Sequence, residues 1–348
     1  MKKNILLLLI VLLLMFSFLE CGFRVLGYHG INTNFNPIIY SQDLGWKLKN
    51  SYKGRWSALE WDVPYETNSQ GFRDKERKFD KTGNLTRIIV LGDSHAEGWG
   101  VKFQDMWQVL LENKLGDKFE VVNFGVRGYD IIQEYRQFLQ VGVKYHPDIV
   151  IQMLNANDFG PDRVTLMGDV QRFRPEYRIK NGVLEFGNYS QKENYIVSRN
   201  RFLNGAKSII YKSAFLSWIK YQLVVFPGVN SYLIKLGLRK DQYVEPGNKK
   251  YEYIEIYNND YNNAVEIIYK EFSRLAKELN FKMLVVYIGS QEIDPDLKSI
   301  LERTVGEPLQ IRTVRDQEWR YEGHTNVKGH AAVAEDILEY LSKNRFLL

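Results

Sequence analysis

The chain is poor in the residues that cross-link or metal-load a protein. It has one cysteine, Cys21, and five histidines: His29, His95, His146, His324 and His330. A single cysteine excludes an intrachain disulfide and a cysteine-based metal site. There is no internal repeat, no low-complexity tract and no long Lys/Arg block. A net charge of +5 without such a block leaves no footprint for nucleic acid. Apolar content of 45% and charged content of 26% are ordinary for a globular chain.

One long hydrophobic run is present. Lys2 and Lys3 precede Ile5 to Leu19, interrupted only by Ser17. At 1.5 Å per residue that covers roughly 22 Å, short of the ~20 residues a full span needs. Glu20 and Arg24 can snorkel and carry the helix through Phe23, Val25 and Leu26. The rival is a cleaved signal peptide, but Phe18 to Gly22 offers a poor small-residue cleavage site and a poor lipoprotein box. The expectation is an uncleaved anchor over residues 1–27. The paired lysines favour an internal N-terminus and a domain outside the cytoplasm, on the periplasmic or extracellular face. Residues 28–86 show little periodicity and read as an irregular lead-in packing on the core, with Gly71 at a turn.

The remaining segment, 87–348, is long enough for one α/β domain with an insertion. Ile88 to Leu91 reads as a strand buried on both faces, ended by Gly92. Ser94 then falls on a strand-to-helix turn at the carboxyl end of the strand, with the following helix beginning near Gln104. That makes Ser94 either a nucleophile or a helix-capping serine. The spacing predicts helices over Gln104–Leu115 and Ile131–Val143, and strands over Phe119–Asn123 and Asp148–Leu154. This alternation implies a doubly wound parallel sheet whose strand ends bring Ser94, Gly128 and Asn157 to one edge. Late elements are a helix over Tyr261–Leu279, a strand over Phe281–Ile288, a helical Ile293–Leu301, a short strand at Leu309–Thr313 and a closing helix over Val327–Ser342.

Residues from about 160 to 258 break the rhythm. Tyr177 to Glu185 predicts a hairpin with an Asn-Gly turn. Leu203 to Val225 reads as a lid helix, with a membrane-surface helix as the other reading. Tyr243, Tyr251, Tyr253 and Tyr257 cover apolar surface or stack on sugar rings.

A serine nucleophile needs a base in hydrogen-bond reach. His29 belongs to the lead-in. His95 adjoins Ser94 and is expected to project elsewhere. His146 precedes its strand at the opposite edge, and His330 lies within the last helix. By elimination the base is His324, in the loop entering that helix. Backbone N–H groups of Ser94 and Gly128 and the Asn157 amide are the available donors for an oxyanion.

Four blocks in this order resemble the SGNH, or GDSL, hydrolase family: Gly92-Asp93-Ser94-His95, then Asn123 through Gly128, then Asn155-Ala156-Asn157-Asp158, and finally Glu322-Gly323-His324-Thr325-Asn326. Asn155 stands where the family has glycine. The family's acid lies three residues before the histidine; Tyr321 stands there and Glu322 two before, a spacing of membrane-linked, polysaccharide-modifying relatives. Asp316 is the alternative acid. The resemblance implies a three-layer α/β/α flavodoxin-like fold, no metal and no cofactor. It implies ester hydrolysis or acyl transfer through Ser94, His324 and Glu322, with Ser94, Gly128 and Asn157 as the oxyanion hole. Anchored relatives suggest an O-acyl or O-acetyl glycan as substrate. The alternatives are an acyltransferase using the same site and a glycan-binding protein without activity.

Overall fold

The computed structural model describes residues 2–32, 34–160, 164–167, 170–175, 177–186, 210–225, 254–320 and 323–347. In chain order the elements begin with helix α1 (Lys2–Val25) and strands β1 (Ile38–Ser41), β2 (Gly45–Leu48), β3 (Lys53–Ala58) and β4 (Trp61–Glu66). Then come β5 (Thr86–Gly92), α2 (Ser94–Glu97), α3 (Trp107–Leu115), β6 (Phe119–Asn123), α4 (Ile131–Gln140) and β7 (Ile149–Leu154). The middle of the chain adds β8 (Val164–Met167), β9 (Val170–Phe173), β10 (Tyr177–Lys180), β11 (Val183–Phe186) and α5 (Ala214–Val225). The rest is α6 (Ile254–Glu278), β12 (Lys282–Ile288), α7 (Pro295–Thr304), β13 (Leu309–Ile311) and α8 (Val327–Lys343). The chain divides into two compact units. One comprises Met1–Asn36, Gly54–Pro64 and Ser198–Lys249; the other comprises Pro37–Lys53, Tyr65–Val197 and Lys250–Leu348.

The larger unit is built on a five-stranded sheet in the order β13-β12-β7-β5-β6. All of its pairings are parallel, with Ile88 opposite both Val121 and Ile149 and Leu284 opposite Ile151. Renumbered along the chain, this is the 2-1-3-4-5 order of a flavodoxin-like sheet. Strand periodicity sorts the side chains into two cores. Ile89, Leu91, Val150, Leu154 and Val285 pack with α4, α6 and α7 on one face. Ile88, Val90, Ile149, Ile151 and Val286 pack with Trp107 and Leu111 of α3 and Val333, Ile337 and Leu341 of α8 on the other. This is the expected three-layer arrangement. The Asn181-Gly182 turn joins β10 to β11, and both residues have positive φ, as a type I′ turn requires.

The lead-in is not irregular. It holds two antiparallel hairpins, β1–β2 and β3–β4. Trp46 of β2 is fully buried with Val126 and Tyr129. Its indole donates to the Arg127 carbonyl at 3.1 Å, and the Tyr129 hydroxyl donates to the Trp46 carbonyl at 2.6 Å. The strands were hidden in the sequence because their short alternations carry polar and aromatic residues in place of aliphatic ones. α3 also starts three residues late, after a 3₁₀ turn at Phe103–Asp105, and α4 ends at Gln140 before a second one.

In the smaller unit α1 includes the 23-residue stretch Lys3–Val25, which has an 18-residue window of mean hydropathy 2.7 and is long and apolar enough to span a membrane or to serve as a signal sequence. Its last turns clasp α5. Glu20 accepts from Ser213 Oγ at 2.6 Å and from the backbone N–H groups of Ala214 (3.0 Å) and Phe215 (3.1 Å). Ser213 Oγ accepts in turn from Leu216 N at 3.1 Å, so the orphan donors of the first turn of α5 are satisfied. Arg24 pairs with Glu20 at 2.7 Å and donates to the Lys212 carbonyl at 3.1 Å. Phe23 lies 5.3 Å from the Phe215 ring and 5.0 Å from Trp218. Of the expected lid helix, residues 203–209 lie outside the described residues. So do Tyr243, Tyr251 and Tyr253, while Tyr257 falls in α6.

Candidate active site

β5 delivers Ser94. Its residues Ile88–Leu91 are fully buried, and Gly92 turns the chain at φ +151°. A Cβ there would stand 2.7 Å from Ala96 Cβ and 2.8 Å from the Met153 carbonyl, so only glycine fits. A separate four-residue helix precedes α3: α2 begins at Ser94 itself, and the Asp93 side chain caps it by accepting from His95 N at 2.9 Å. Gly125 permits the adjoining turn to press on this elbow, for a Cβ would lie 2.3 Å from Glu97 N.

Ser94 and His324 meet. Ser94 Oγ is 2.9 Å from His324 Nε2 and 3.0 Å from Asp93 Oδ2. The histidine rides on a loop fixed by backbone bonds. Trp319 N donates to the His324 carbonyl at 2.7 Å, and Asn326 N donates to the Gln317 carbonyl at 2.8 Å. Asn326 then caps α8 by accepting from Lys328 N and Gly329 N. Asn157, after β7, has its amide Nδ2 3.5 Å from Asp93 Oδ2. Asp93 Oδ2 is therefore a shared acceptor that brings Asn157 beside the serine. Gly128 closes the turn after β6 with φ +74°, its carbonyl accepting from Arg174 at 3.3 Å. β6, β5 and β7 are neighbouring parallel strands, so their carboxyl ends lie on one edge of the sheet.

The acid is less simply placed. Glu322 lies outside the described residues. Asp316 is on the surface, 69% exposed at its side chain and 3.8 Å from Lys328 Nζ.

Several neighbours escaped the sequence reading. His95 does not project elsewhere. Because α2 is helical from Ser94, the next side chain reaches the same loop, with His95 Nδ1 3.1 Å from Thr325 Oγ1 and its ring 5.1 Å from that of His324. Trp99 stacks on His324 at 4.3 Å and 11°. The Arg127 guanidinium also lies 5.0 Å from the Trp99 ring centroid. The only available signal for Trp99 was its five-residue distance from Ser94. Beneath the elbow, buried Glu97 is ion-paired with Arg127 and accepts from Tyr65. Burial raises the Glu97 carboxyl, but the Arg127 charge and bonds hold it below its ordinary value. Buried Arg73 donates to the carbonyls of Glu97, Gly98 and Val101, tying the 67–77 turn to the elbow.

Electrostatics separate three buried acids. Burial raises Asp93, but the charge and backbone N–H of His95, together with His324, outweigh it and hold Asp93 below the usual range. Asp158 and Glu134 go the other way. Burial pushes both well up; the Gln152 amide, 2.7 Å from Glu134, offsets this in part, while the Asp93 charge adds to it. Burial thus disfavours the charged forms of Asp158 and Glu134, while the histidine neighbours favour that of Asp93. Among the described residues no three His, Cys, Asp or Glu side chains are grouped as a metal site needs. The arrangement offers a buried hydroxyl, an imidazole in contact with it, and an amide on the strand end beside it, groups that acyl transfer uses.

Residues 90–188 match the family model described as GDSL-like lipase/acylhydrolase. No curated protein matches the chain. Among solved structures it is similar to the psychrotrophic esterase EstA from Pseudoalteromonas sp., at 12% identity over 74% of this chain and 97% of that one, TM-score 0.38. It is also similar to an acetyl xylan esterase, AlAXEase, at 12% identity over 73% and 99%, TM-score 0.36. A two-domain esterase active on acetylated mannans matches at 11% identity over 74% and 49%, TM-score 0.38.

Proposed function

We propose that this chain, whose residues 90–188 are of the GDSL-like lipase/acylhydrolase type, is a membrane-anchored serine esterase that cleaves O-acyl, in particular O-acetyl, esters of cell-envelope or exported glycans. The observation that carries the chemistry is the 2.9 Å approach of Ser94 Oγ to His324 Nε2. Ser94 Oγ attacks the ester carbonyl carbon as its proton passes to His324 Nε2. The Ser94 and Gly128 N–H groups and the Asn157 amide receive the oxyanion. The tetrahedral intermediate collapses, the C–O bond to the sugar breaks, and Nε2 returns the proton to the leaving hydroxyl. Water then attacks the acyl-serine, gives its proton to Nε2, and the carboxylic acid departs as Ser94 regains it. Glu322 takes the third role, orienting the imidazole and stabilising the imidazolium. Asp93, kept ionised, is a nearby counter-charge for the imidazolium.

The reading of α1 as a retained anchor is supported by the Glu20 and Arg24 clasp. Cleavage beyond Arg24 would strip the cap from α5, at a cost of about 1 kcal/mol or more. Protease added to spheroplasts digests the domain if it lies outside, and N-terminal sequencing finds the mature chain intact at residues 2–20. A mature chain starting after residue 17 removes the anchor.

The chemistry is tested with the full chain, a chromogenic acetyl ester and candidate glycans. Free acetate without added acceptor supports hydrolysis. Product that forms only with a glycan reassigns the enzyme to acyl transfer. A serine-directed phosphonate should label Ser94 alone; labelling of another serine ends the assignment.

A further inference from the structure

α1 and α5 together show where the bilayer surface meets this chain. The apolar face of α1 does not stop at Glu20. Val25 and Leu26, beyond it, are 82% and 73% exposed. The exposed apolar residues therefore run from Ile5 to Leu26, with roughly 32 Å of helix from Ile5 to Val25 against a hydrocarbon core of about 30 Å. Glu20 sits five residues inside the end of that helix, roughly 8 Å below Val25 along the axis. A carboxylate at such a depth must be paired. Glu20 is paired, with Arg24 and with three donors at the start of α5. The start of α5 is thereby held at the depth of Glu20, inside the edge of the apolar band.

The composition of α5 fits that depth. Its sequence, Ala-Phe-Leu-Ser-Trp-Ile-Lys-Tyr-Gln-Leu-Val-Val, has one charged residue in twelve. Lys220 turns its ammonium to Tyr211, 3.3 Å from the hydroxyl and 4.4 Å from the ring centroid. Trp218 and Tyr221 are the residue types that settle between headgroups and acyl chains. Leu223, at the far end, is 45% exposed, and Ile210, just before α5, is 39% exposed. We infer that α5 is an interfacial helix: it lies in the headgroup–acyl boundary beside the end of α1, with Leu223 in lipid. The occupant around exposed Leu223 and Ile210 is the bilayer, because α5 is locked to the helix read here as the anchor. This rests on the anchor reading of α1.

The test uses the full chain in lipid nanodiscs. Cys21, the one native cysteine, is replaced (Cys21→Ser), and a nitroxide is attached at Leu223→Cys, at Leu12→Cys in the middle of α1, or at exposed Lys102→Cys as a water reference. Collision with oxygen, which favours lipid, is compared with collision with a water-soluble nickel chelate. The expected oxygen-to-nickel ratio at Leu223 is about fivefold or more above that at Lys102, as for a helix seated at the acyl boundary. A lipid-like value at Leu12 with a Lys102-like value at Leu223 overturns the inference and leaves the anchor standing. A water-like value at Leu12 removes the anchor and the inference with it. Ile210→Cys is a second probe, expected to follow Leu223. If it alone matches Lys102, the interfacial placement at the start of α5 is wrong.

Discussion

The two partners of the Ser94–His324 pair are held by different means. Ser94 is 4% exposed, on a turn whose cap, glycine and flanking strand are all fixed by the sheet. His324 is half-buried on a loop that owes its shape to a few backbone bonds, one isolated bridge between Glu318 and Thr325, and the Trp99 ring. Ser94 is placed by the fold and His324 by local contacts. Substitutions around Ser94 should therefore disturb folding and activity together, whereas substitutions around His324 should separate them.

The largest effect tests the pair itself. Ser94→Ala and His324→Ala should each lower kcat by about 10⁴-fold, and the double variant should be no worse than either, as for groups acting as one unit. Additive losses, measured as kcat on an acetyl ester, would mean that the two do not share a proton. Next comes the acid. Glu322→Gln should cost several hundred-fold, on the scale of a triad acid, with the melting temperature unchanged, while Asp316→Asn should cost under about tenfold. The reverse ranking would transfer the role to Asp316. Trp99 gives a smaller effect. An imidazolium over an indole face gains about 1 kcal/mol, so Trp99→Leu should lower kcat about fivefold with KM nearly constant. A change in KM alone would make Trp99 a substrate contact.

The fourth prediction leaves neutral-pH activity untouched. His330, buried with Nδ1 accepting from Trp107 N at 3.2 Å, is pushed down to about 3 by burial and then by the charges of His95, Arg73 and His324. Unfolded, the same imidazole takes a proton below about 6.5. Between those values the unfolded state binds more protons, so stability falls as pH falls, by about 3 kcal/mol from this group at pH 4. Asp74, pushed up to about 6 by burial despite Arg77, works in the opposite direction. The decisive quantity is the difference between wild type and His330→Gln in chemical denaturation, which should grow in favour of the variant from pH 6.5 to 4. A flat difference removes His330 from the account.

What could be read from the residues divides along a similar line. The sheet was legible because strands buried on both faces are near-continuous apolar runs, as in Ile88–Leu91 and in Ile149–Leu154, where Gln152 is the one polar residue. His324 was legible because histidines are few. Contacts set by tertiary geometry were not. Nothing local to Glu20 says that it meets Ala214, 194 residues away. His95 was misjudged because the helical turn starting at Ser94 gives no periodic signal in four residues. The β1–β2 hairpin depends on Trp46 finding Tyr129, a pairing visible only once the sheet has formed.

Ser94 and His324 are 230 residues apart in the chain. A contact that closes so long a loop is entropically late, and the sheet and its first helices can form without it. In refolding, the far-ultraviolet signal of the α/β unit should recover before the capacity to bind a phosphonate at Ser94. Competence thus reports the arrival of the last loop and α8, which makes active-site labelling a timer for the end of folding as well as a count of working molecules.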